Sequence, residues 1–428
     1  MTFTCEGGQA MKPEKWLGVT VWLTVVTLIG CAAVERHRVR GENAPAVRID
    51  TPPAYMEAAK KALAEPFKGI TTDGKIIPGL YSAGKTGVST EPIRRAADDF
   101  IAALNAQQRA QALFPVTSNE WRNWSNIHRY PREGVMLGDM STAQRERAFA
   151  LMRATLSARG YEGARDIMRL NETIAELTGK FDEYGDDLYW FTLMGTPSAD
   201  APWGWQLDGH HLVVNCFVLG DQVVMTPLFM GSEPTRADAG KYAGTVVFQD
   251  EERRGLAFMH TLTPAQRAKA TVGDTLPREV SAPAFSDNLQ LRYQGIRYGD
   301  LSAAQQNQML ALIESHIGKM REGHNAVRMA EIKQHFDQTW FTWMGGAVDD
   351  SVFYYRIHSP VVLIEFDHVR GVALNNQQPT RNHAHTVIRT PNGNDYGMDL
   401  LRQHHAQVEH VNGVHVARRI IPPSRPMP

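Results

Sequence analysis

The sequence predicts an α+β fold that is internally duplicated, with amphipathic helices followed by an antiparallel β-meander in each half. Three short segments recur in the same order along the chain. They are Leu104–Ala110 with Leu262–Ala268, Gly138–Gln144 with Gly299–Gln305, and Trp190–Gly195 with Trp340–Gly345. One such match would mean little, but three collinear matches indicate two related halves. We place these halves at residues 56–250 and 251–370.

Helix starts are marked in both halves by capping boxes. In a capping box a polar side chain accepts a backbone N–H, and a glutamine three residues further on reaches back to the first residue. The four boxes are Asn105/Gln108, Ser141/Gln144, Thr263/Gln266 and Ser302/Gln305. Apolar residues behind them recur at helical spacing, as Ala148, Phe149, Met152 and Leu156 do. The pattern predicts amphipathic helices at the start of each half.

Strand patterns follow the Trp-Phe-Thr segments. The apolar, β-branched run Leu212–Leu219, the turn at Gly220 and the return Gln222–Phe229 predict a hairpin. The second half has the runs Val352–Ile357 and Val361–Phe366. Residues 371–428 are not matched by the duplication, and we interpret them as a C-terminal, histidine-rich extension made of a strand and a helix.

Composition and charge exclude several classes of protein. The 428 residues carry 45 basic and 46 acidic side chains, for a net charge of −1. Such a balance provides no general attraction to nucleic acid, so we expect no nucleic-acid partner. The three cysteines, Cys5, Cys31 and Cys216, lack metal-binding spacing, and an unpaired Cys216 is expected to be buried.

The N-terminus predicts export and membrane attachment. An apolar run, Trp16–Gly30, follows two lysines and has the length of a secretory signal. It ends in Leu28–Cys31, which looks like a lipobox, so we interpret residues 1–31 as a signal, Cys31 as the lipidated residue and residues 32–55 as a tether. The protein is therefore expected to be extracytoplasmic and membrane-anchored. Alternatively, the run continues to Val34 as an uncleaved anchor. In either case Met11 is an alternative start of translation.

Several motifs carry a family resemblance. They are Asp73–Lys75, Gly87–Thr90, Trp124–Asn126, Trp203–His211, Asn382–His385 and Gly393–Gly397. On these motifs the chain resembles the domain-of-unknown-function family numbered three thousand five hundred, over most of residues 70–405. The resemblance implies a secreted protein of unsettled function and adds almost nothing about chemistry.

One nucleotide motif is rejected. Gly79–Thr86 matches the P-loop pattern letter by letter. A P-loop needs a strand before it and a helix directly after it, whose amides hold phosphate. Pro78 disfavours the strand, and Gly87 and Pro92 disfavour the helix. We interpret the segment as a surface loop and expect no nucleotide cofactor.

Histidines provide the strongest chemical signal, since six of the 16 lie at or after residue 383. His383 and His385 fall on a predicted strand, where residues two apart share a face, and a pair of this kind suits a metal ion. The alternative is a solvated or hydrogen-bonded pair. His210 and His211 have no counterpart in the second half, which indicates a site rather than scaffold. On a strand they would face opposite sides, which leaves His210 as a possible core residue.

The full prediction is one divalent metal ion of unknown identity. Its candidate ligands are His210, His211, His383, His385 and His404, the last on a predicted helix. Asp208 and Asp395 are the candidate proton carriers, although Asp395 also suits a turn and helix cap. The candidate ligand-binding residues are His128, Trp205, Asn215, His358 and Arg389. A near-twofold arrangement would place Asp208 and His358 at equivalent positions.

Two functions follow from this pattern. The first is a lipid-anchored extracytoplasmic protein whose metal-binding pocket acts on a small substrate, as a hydrolase, lyase or oxidoreductase. The second is a non-catalytic surface module that binds a ligand or partner and uses the histidines as hydrogen-bonding groups.

Overall fold

The computed structural model describes residues 46–411 and 414–417 and confirms the α+β class. Its α-helices are α1 (Pro53–Ala64), α2 (Glu91–Ala103), α3 (Ala106–Ala112), α4 (Thr142–Thr155), α5 (Ala158–Thr178), α6 (Gln249–Thr261), α7 (Pro264–Ala270), α8 (Ala303–Ile317), α9 (His324–Lys333) and α10 (Met398–Gln407). Short 3-10 helices span Asn119–Arg122, Leu137–Asp139, Tyr298–Asp300, Phe336–Gln338 and Asp395–Gly397.

The strands form one large mixed sheet and one separate hairpin. They are β1 (Leu113–Phe114), β2 (Val135–Met136), β3 (Tyr189–Met194), β4 (Trp203–Gly209), β5 (Leu212–Leu219), β6 (Gln222–Val224), β7 (Leu228–Ser232), β8 (Thr271–Gly273), β9 (Ile296–Arg297), β10 (Trp340–Gly345), β11 (Phe353–His358), β12 (Leu363–Arg370), β13 (Pro379–Arg389), β14 (Val408–Val411) and β15 (Val414–Ala417). Strands β14 and β15 pair only with each other, and the rest belong to the large sheet.

Strand order in the large sheet is symmetrical about its centre. The main path runs β1-β3-β4-β5-β7-β13-β12-β11-β10-β8. Two-residue strands β2 and β9 pair antiparallel with β3 and β10, and β1 and β8 pair parallel with the same two strands. A duplicated chain would produce this order, but the duplication itself stays a prediction.

The segment after residue 371 contributes strand β13 to the centre of the large sheet. Strand β13 pairs with β12 as β7 pairs with β5, and β7 and β13 pair antiparallel with each other. Strand β13 therefore occupies, in the second run of the sheet, the place that β7 holds in the first.

Helix starts agree with the sequence pattern. All four predicted capping boxes form, with both reciprocal hydrogen bonds present in each. In the box before α8, for example, the Ser302 hydroxyl accepts the Gln305 N–H, and the Gln305 side chain accepts the Ser302 N–H. Such caps contribute about 1 kcal/mol each, because they satisfy backbone donors that the helix cannot.

Helices cover one face of the sheet. Trp205 on β4 donates to the Thr155 hydroxyl at the end of α4, and the Tyr355 hydroxyl on β11 donates to the Glu251 carbonyl of α6. Residues that share this face are apolar and almost fully buried. Cys216 lies here with no exposed surface, as expected, and burial raises the pKa of its thiol to about 12.

Loops cover the opposite face, which is rich in polar side chains. The loop at 115–134 meets β4, where the Gln206 amide donates to the Trp121 carbonyl. The loop at 274–295 meets β12, where the Glu365 carboxylate accepts the Ser281 N–H. Because neighbouring residues on a strand point to opposite faces, Gln206 and Glu365 lie on the loop-covered face, whereas their neighbours Trp205 and Phe366 lie under the helices. Chemistry-bearing residues therefore converge on the loop-covered face.

The N-terminal predictions lie outside the described residues, namely the signal, the Cys31 lipidation and the alternative anchor. Among the helices that the structure describes, none combines the length and the apolar character needed to cross a bilayer. The rejected P-loop segment Gly79–Thr86 lies in a loop, and the next helix begins only at Glu91.

A buried ion pair at the helical layer gives a test of the fold. The Lys319 ammonium lies 2.6 Å from a Glu251 carboxylate oxygen, and both side chains are almost fully buried. Burial opposes ionisation of Glu251, but Lys319 and His316 outweigh it, so that its pKa falls from 4.5 to about 2. We expect Lys319→Met to lower the free energy of unfolding by about 3 kcal/mol, because it removes the buried partner of Glu251 and leaves that charge only the half-exposed Arg159, at 3.3 Å.

Urea unfolding checks this expectation, with Lys269→Met as the control. Lys269 pairs with Asp300 at 3.3 Å, but both side chains are exposed, so its loss should change stability by less than about 0.5 kcal/mol. In the wild type, the contribution from Glu251 is complete above pH 4.5 and is lost as the pH falls through about 2. Equal losses in the two variants would contradict the assignment.

Candidate metal centre

The centre of the large sheet carries the predicted histidine pair. His383 and His385 lie two residues apart on β13 and share one face of the strand, as the sequence predicted. His385 pairs with Gly231 on β7 and with Asp367 on β12. The imidazoles therefore stand on the loop-covered face, where the two runs of the sheet meet.

The third histidine arrives from the hairpin between β4 and β5. Gly209 pairs with Leu212, so His210 and His211 are the two turn residues rather than strand residues. His211 has a φ of 62°, in the left-handed region that favours glycine. A histidine held in this conformation costs about 1 kcal/mol or more, a cost that is typical of functional positions.

Three imidazole nitrogens converge in this place. The Nε2 atom of His383 lies 3.0 Å from Nε2 of His385 and 3.2 Å from Nε2 of His211. The exposed fractions of the three residues are 6% for His211, 2% for His383 and 4% for His385. Among the described residues, these three side chains form the group whose donor atoms lie close enough together to hold a metal ion.

Hydrogen bonds to the other ring nitrogens fix the tautomers. Nδ1 of His383 lies 2.7 Å from the Arg370 carbonyl oxygen, and Nδ1 of His385 lies 2.7 Å from a Glu279 carboxylate oxygen. Since both oxygens only accept hydrogen bonds, each Nδ1 carries the proton and each Nε2 presents a lone pair. Two lone pairs 3.0 Å apart repel each other unless a cation lies between them.

Burial favours the neutral imidazole at His211 and His383, the form that a metal ligand must have. Burial, followed by the proximity of His210 and His385, lowers the pKa of His211 well below its ordinary value. Burial and then His385 do the same to the pKa of His383. A proton on Nε2 of His211 or His383 is therefore disfavoured, and these two rings suit a metal ion.

The spacing also fits a metal ion. At metal–nitrogen bonds of about 2.0–2.1 Å, tetrahedral geometry separates ligand nitrogens by about 3.3 Å. The observed separations of 3.0 and 3.2 Å are close to this value. Carboxylates and carbonyls behind the imidazoles orient them, as Glu279 and the Arg370 carbonyl do here. Three buried histidines could thus hold one metal ion, with a coordination position left over.

Acidic side chains support the ring positions from outside. Glu233 accepts hydrogen bonds from the backbone N–H groups of Val372, Ala373 and Leu374, and one of its oxygens lies 3.6 Å from Nδ1 of His383. Asn126 accepts the His211 N–H with its carbonyl and contacts Glu279 with its side chain. Both loops that cover this face are thereby tied to the histidines.

Two other predicted ligands lie outside the trio. The His210 ring stacks on His211 at 3.8 Å, but its Nδ1 donates to the Asn171 side chain. The His210 ring therefore packs behind His211, which resembles the core role that the sequence left open for His210. His404 lies on α10 beside His405, in a groove with Ala83 and Gln407. The structure does not bring His404 to the trio. The sequence could not predict this, because helical periodicity indicates which face of a helix a residue is on but not which cavity that face meets.

The predicted proton carriers are held in ion pairs. Asp208 lies 3.1 Å from the Arg132 guanidinium, and burial raises its pKa to about 6 against that opposing charge. Asp395 lies 2.8 Å from Arg389 and accepts the Thr390 N–H, which makes it a structural cap. Arg389 also binds Asp287 and is fully buried. The structure does not place these groups against the three Nε2 atoms.

The remaining predicted ligand-binding residues are spread over the sheet. Trp205 stacks on Phe191 in the apolar layer. Asn215 accepts from Gln206 and donates to a backbone carbonyl. His128 packs against the His210 ring at 5.2 Å, on the far side of His210 from the trio.

Asp208 and His358 occupy matching register positions, as predicted. Asp208 lies opposite Trp190, and His358 lies opposite Trp340. His358 contacts Tyr293 at 4.6 Å in the second run of the sheet, away from the histidine trio.

Four residues of the site were missed by the sequence reasoning. They are Gly231, Glu233, Glu279 and Asp367. Asp367 left a signal, because Glu365 and Asp367 alternate with the apolar residues Ile364 and Phe366. Glu279 left none, since it lies in a long loop more than a hundred residues from His385.

The site and fold define a class of protein: an α+β chain with three buried histidines that could hold a metal ion. Residues 86–398 match the family model described as "Protein of unknown function (DUF3500)". Because the match covers most of the chain, the protein belongs to that family. No curated protein and no solved structure matches the chain.

Gly231 makes room for the trio and provides a test. A Cβ atom at this position would lie 2.6 Å from Cδ2 of His385 and 3.1 Å from Cδ2 of His211. We expect Gly231→Ala to displace both rings and to lower the affinity for a metal ion by about 10- to 100-fold. Titration with Zn²⁺ against a competing chelator measures this affinity.

Gly273 provides the matched control. It also lies on a strand, but a Cβ atom there would have no neighbour within 4 Å. Gly273→Ala should therefore leave the affinity unchanged. If both variants bind Zn²⁺ like the wild type, the packing described for the three rings is incorrect.

Proposed function

We propose that this protein is a metal-dependent enzyme that acts on a small substrate outside the cytoplasm. One observation carries the proposal: the Nε2 lone pairs of His383 and His385 face each other at 3.0 Å while both Nδ1 atoms donate elsewhere. A site of this kind is costly for a folded chain unless a metal ion occupies it. The family match adds no chemistry, so the argument rests on the side chains.

The donor set favours a borderline metal ion. Three imidazoles suit zinc, copper, iron or nickel, whereas magnesium and calcium prefer oxygen ligands. Neutral ligands leave the full double charge on the ion, and the metal would supply Lewis acidity, either by polarising a substrate oxygen or by activating water. This favours a hydrolase or lyase over the other reaction classes.

Protein groups would hold the ion and its surroundings in place. Glu279 hydrogen-bonds to His385 and its side chain is 32% exposed, so it lies at the boundary between the buried trio and solvent. The backbone of the 372–374 segment is fixed by Glu233, and the His211 turn is fixed by Asn126. These contacts orient the three rings before an ion arrives, which lowers the cost of binding.

Metal analysis of the purified protein tests the proposal. We expect one divalent ion per chain. Added metal should raise the melting temperature, and at a concentration of a hundred times Kd it should raise the free energy of unfolding by about 2.7 kcal/mol. His211→Gly is a useful variant, because glycine adopts the left-handed turn without strain. This variant should keep its fold and lose metal affinity by more than about 100-fold. That loss is larger than the loss typical for a residue that only hydrogen-bonds to a metal ligand.

His404→Ala is the matched control. His404 is also a largely buried histidine, but it lies on α10, so its loss should leave the metal content at one per chain. If the wild type binds no transition metal at any tested concentration, the enzyme proposal fails. The histidines would then act as hydrogen-bonding groups in a non-catalytic binding module.

We further propose that a lipid on Cys31 anchors the protein outside the cytoplasm. The basic start, the apolar run Trp16–Gly30 and the Leu28–Cys31 motif support this assignment. The polar segment at 32–55 is long enough to separate a folded body from a membrane surface.

Membrane fractionation with a labelled fatty acid tests the anchor. We expect Cys31→Ser to lose the label and to block removal of the signal, while Cys5→Ser, the control, keeps both. If the Cys31→Ser variant and the wild type are equally unlabelled and membrane-bound, the uncleaved anchor replaces the lipid.

A further inference from the structure

A buried carboxylate lies next to the histidine trio without any side-chain hydrogen-bond donor. Asp367 on β12 lies directly opposite His385, so both side chains project from the same face. Its exposed fraction is 0%, and neither carboxylate oxygen has a side-chain donor, so that its polar contact within the protein is with the backbone N–H of the adjacent His368. It does not belong to the close group of metal-binding atoms, which places it beside the metal site rather than in it.

A neighbouring carboxylate shows that the fold can supply donors when it needs them. Glu365, two residues earlier on the same face, accepts the N–H groups of Ser281 and Ala282 and the Tyr354 hydroxyl, at 2.6–2.9 Å. Asp367 receives none of these. A buried carboxylate without side-chain donors costs free energy, so its presence is explained by a group that arrives with a ligand.

The charge around Asp367 identifies that group. Among the described residues, no lysine or arginine forms an ion pair with Asp367 or with Glu279. The ion-pair partner of Glu279 in this part of the chain is His385. The protein thus aims two carboxylates at this place and supplies no cationic side chain to either. An anion would be repelled, and a cationic donor would satisfy both charge and hydrogen bonding.

We propose that Asp367 is the substrate-binding carboxylate of the metal site and that it recognises an ammonium group on the substrate. The inference rests on the proposed function, since the substrate would contact the ion with one end and Asp367 with the other. The substrate class is therefore a small amine that also carries an oxygen able to reach the metal. Asp367 would act by positioning, because its oxygens are free to accept two N–H donors.

Three probes that differ in one group test the proposal. Acetohydroxamate, glycolohydroxamate and glycine hydroxamate all bind metal ions through the same two oxygens, and they end in a methyl, a hydroxyl and an ammonium group. In the Co²⁺-loaded protein, the visible absorption of the ion reports binding of each. We expect glycine hydroxamate to bind at least about tenfold more tightly than the other two.

The isosteric variant Asp367→Asn removes the charge and keeps the shape. It should reduce the preference for the ammonium probe to less than about twofold, with metal content and acetohydroxamate affinity unchanged. Asp238→Asn, at an exposed position, is the control and should keep the full preference. Loss of the preference in both variants would indicate a general charge effect and would overturn the assignment.

The outcomes separate this inference from the proposed function. If the wild type holds no Co²⁺, the proposed function fails and the inference falls with it. If Co²⁺ binds but the three probes bind equally or not at all, the metal site stands and the ammonium site is rejected. Two Co²⁺ ions per wild-type chain and one in Asp367→Asn would make Asp367 a ligand of a second metal, which also overturns the proposal.

Stability provides a readout that a structural role would not give. Replacement of a carboxylate that served only the fold would lower the melting temperature. A carboxylate kept for a ligand lacks side-chain donors in the free protein, so Asp367→Asn should raise the melting temperature of the metal-free chain. A lower melting temperature would assign Asp367 to the scaffold instead.

Discussion

The pairing of β7 with β13 is the contact on which the rest of this protein depends. It joins two runs of strands into one continuous sheet, and it places His385 directly beside Gly231. The Gly231 N–H also donates to the His211 carbonyl, at 2.7 Å, which ties the β4–β5 turn to the same strand. Without this pairing, His211 and His383 would belong to separate sheets, and no common site would exist.

A sheet with two unlike faces makes such a site possible. Helices pack on one face and bury apolar side chains, which stabilises the fold. Loops cover the other face and satisfy polar groups one by one, as the contacts of Glu365 and Arg389 illustrate. Because loops constrain the sequence less than a packed helical layer does, this face can hold groups such as Asp367 that do not stabilise the fold.

Local patterns in the sequence predicted much of this arrangement. Capping boxes depend on residues three apart, and the His383/His385 pair depends on residues two apart, so both could be recognised without a structure. The turn at His211 was harder, since a histidine at a positive φ is uncommon and the flanking residues favour strand. Even so, the absence of this pair from the second half indicated its role.

Long-range contacts explain what the sequence could not predict. Glu279 meets His385 through a loop whose path is set by packing, and β13 completes the second run of the sheet despite having no recognisable match to β7. His404 satisfied the helical pattern equally well, yet α10 carries it to a different groove. Periodicity describes one element at a time, whereas a metal site needs the relative positions of several.

The distance along the chain between His211 and His383 has a consequence for how the protein matures. The two residues that share the centre are 172 positions apart, and they meet only when the last strand of the sheet has been added. A polypeptide in which β13 is not yet paired with β7 therefore cannot bring these three imidazoles together. A metal ion could therefore be held by all three imidazoles only in the folded sheet, so that folding and formation of the site are coupled.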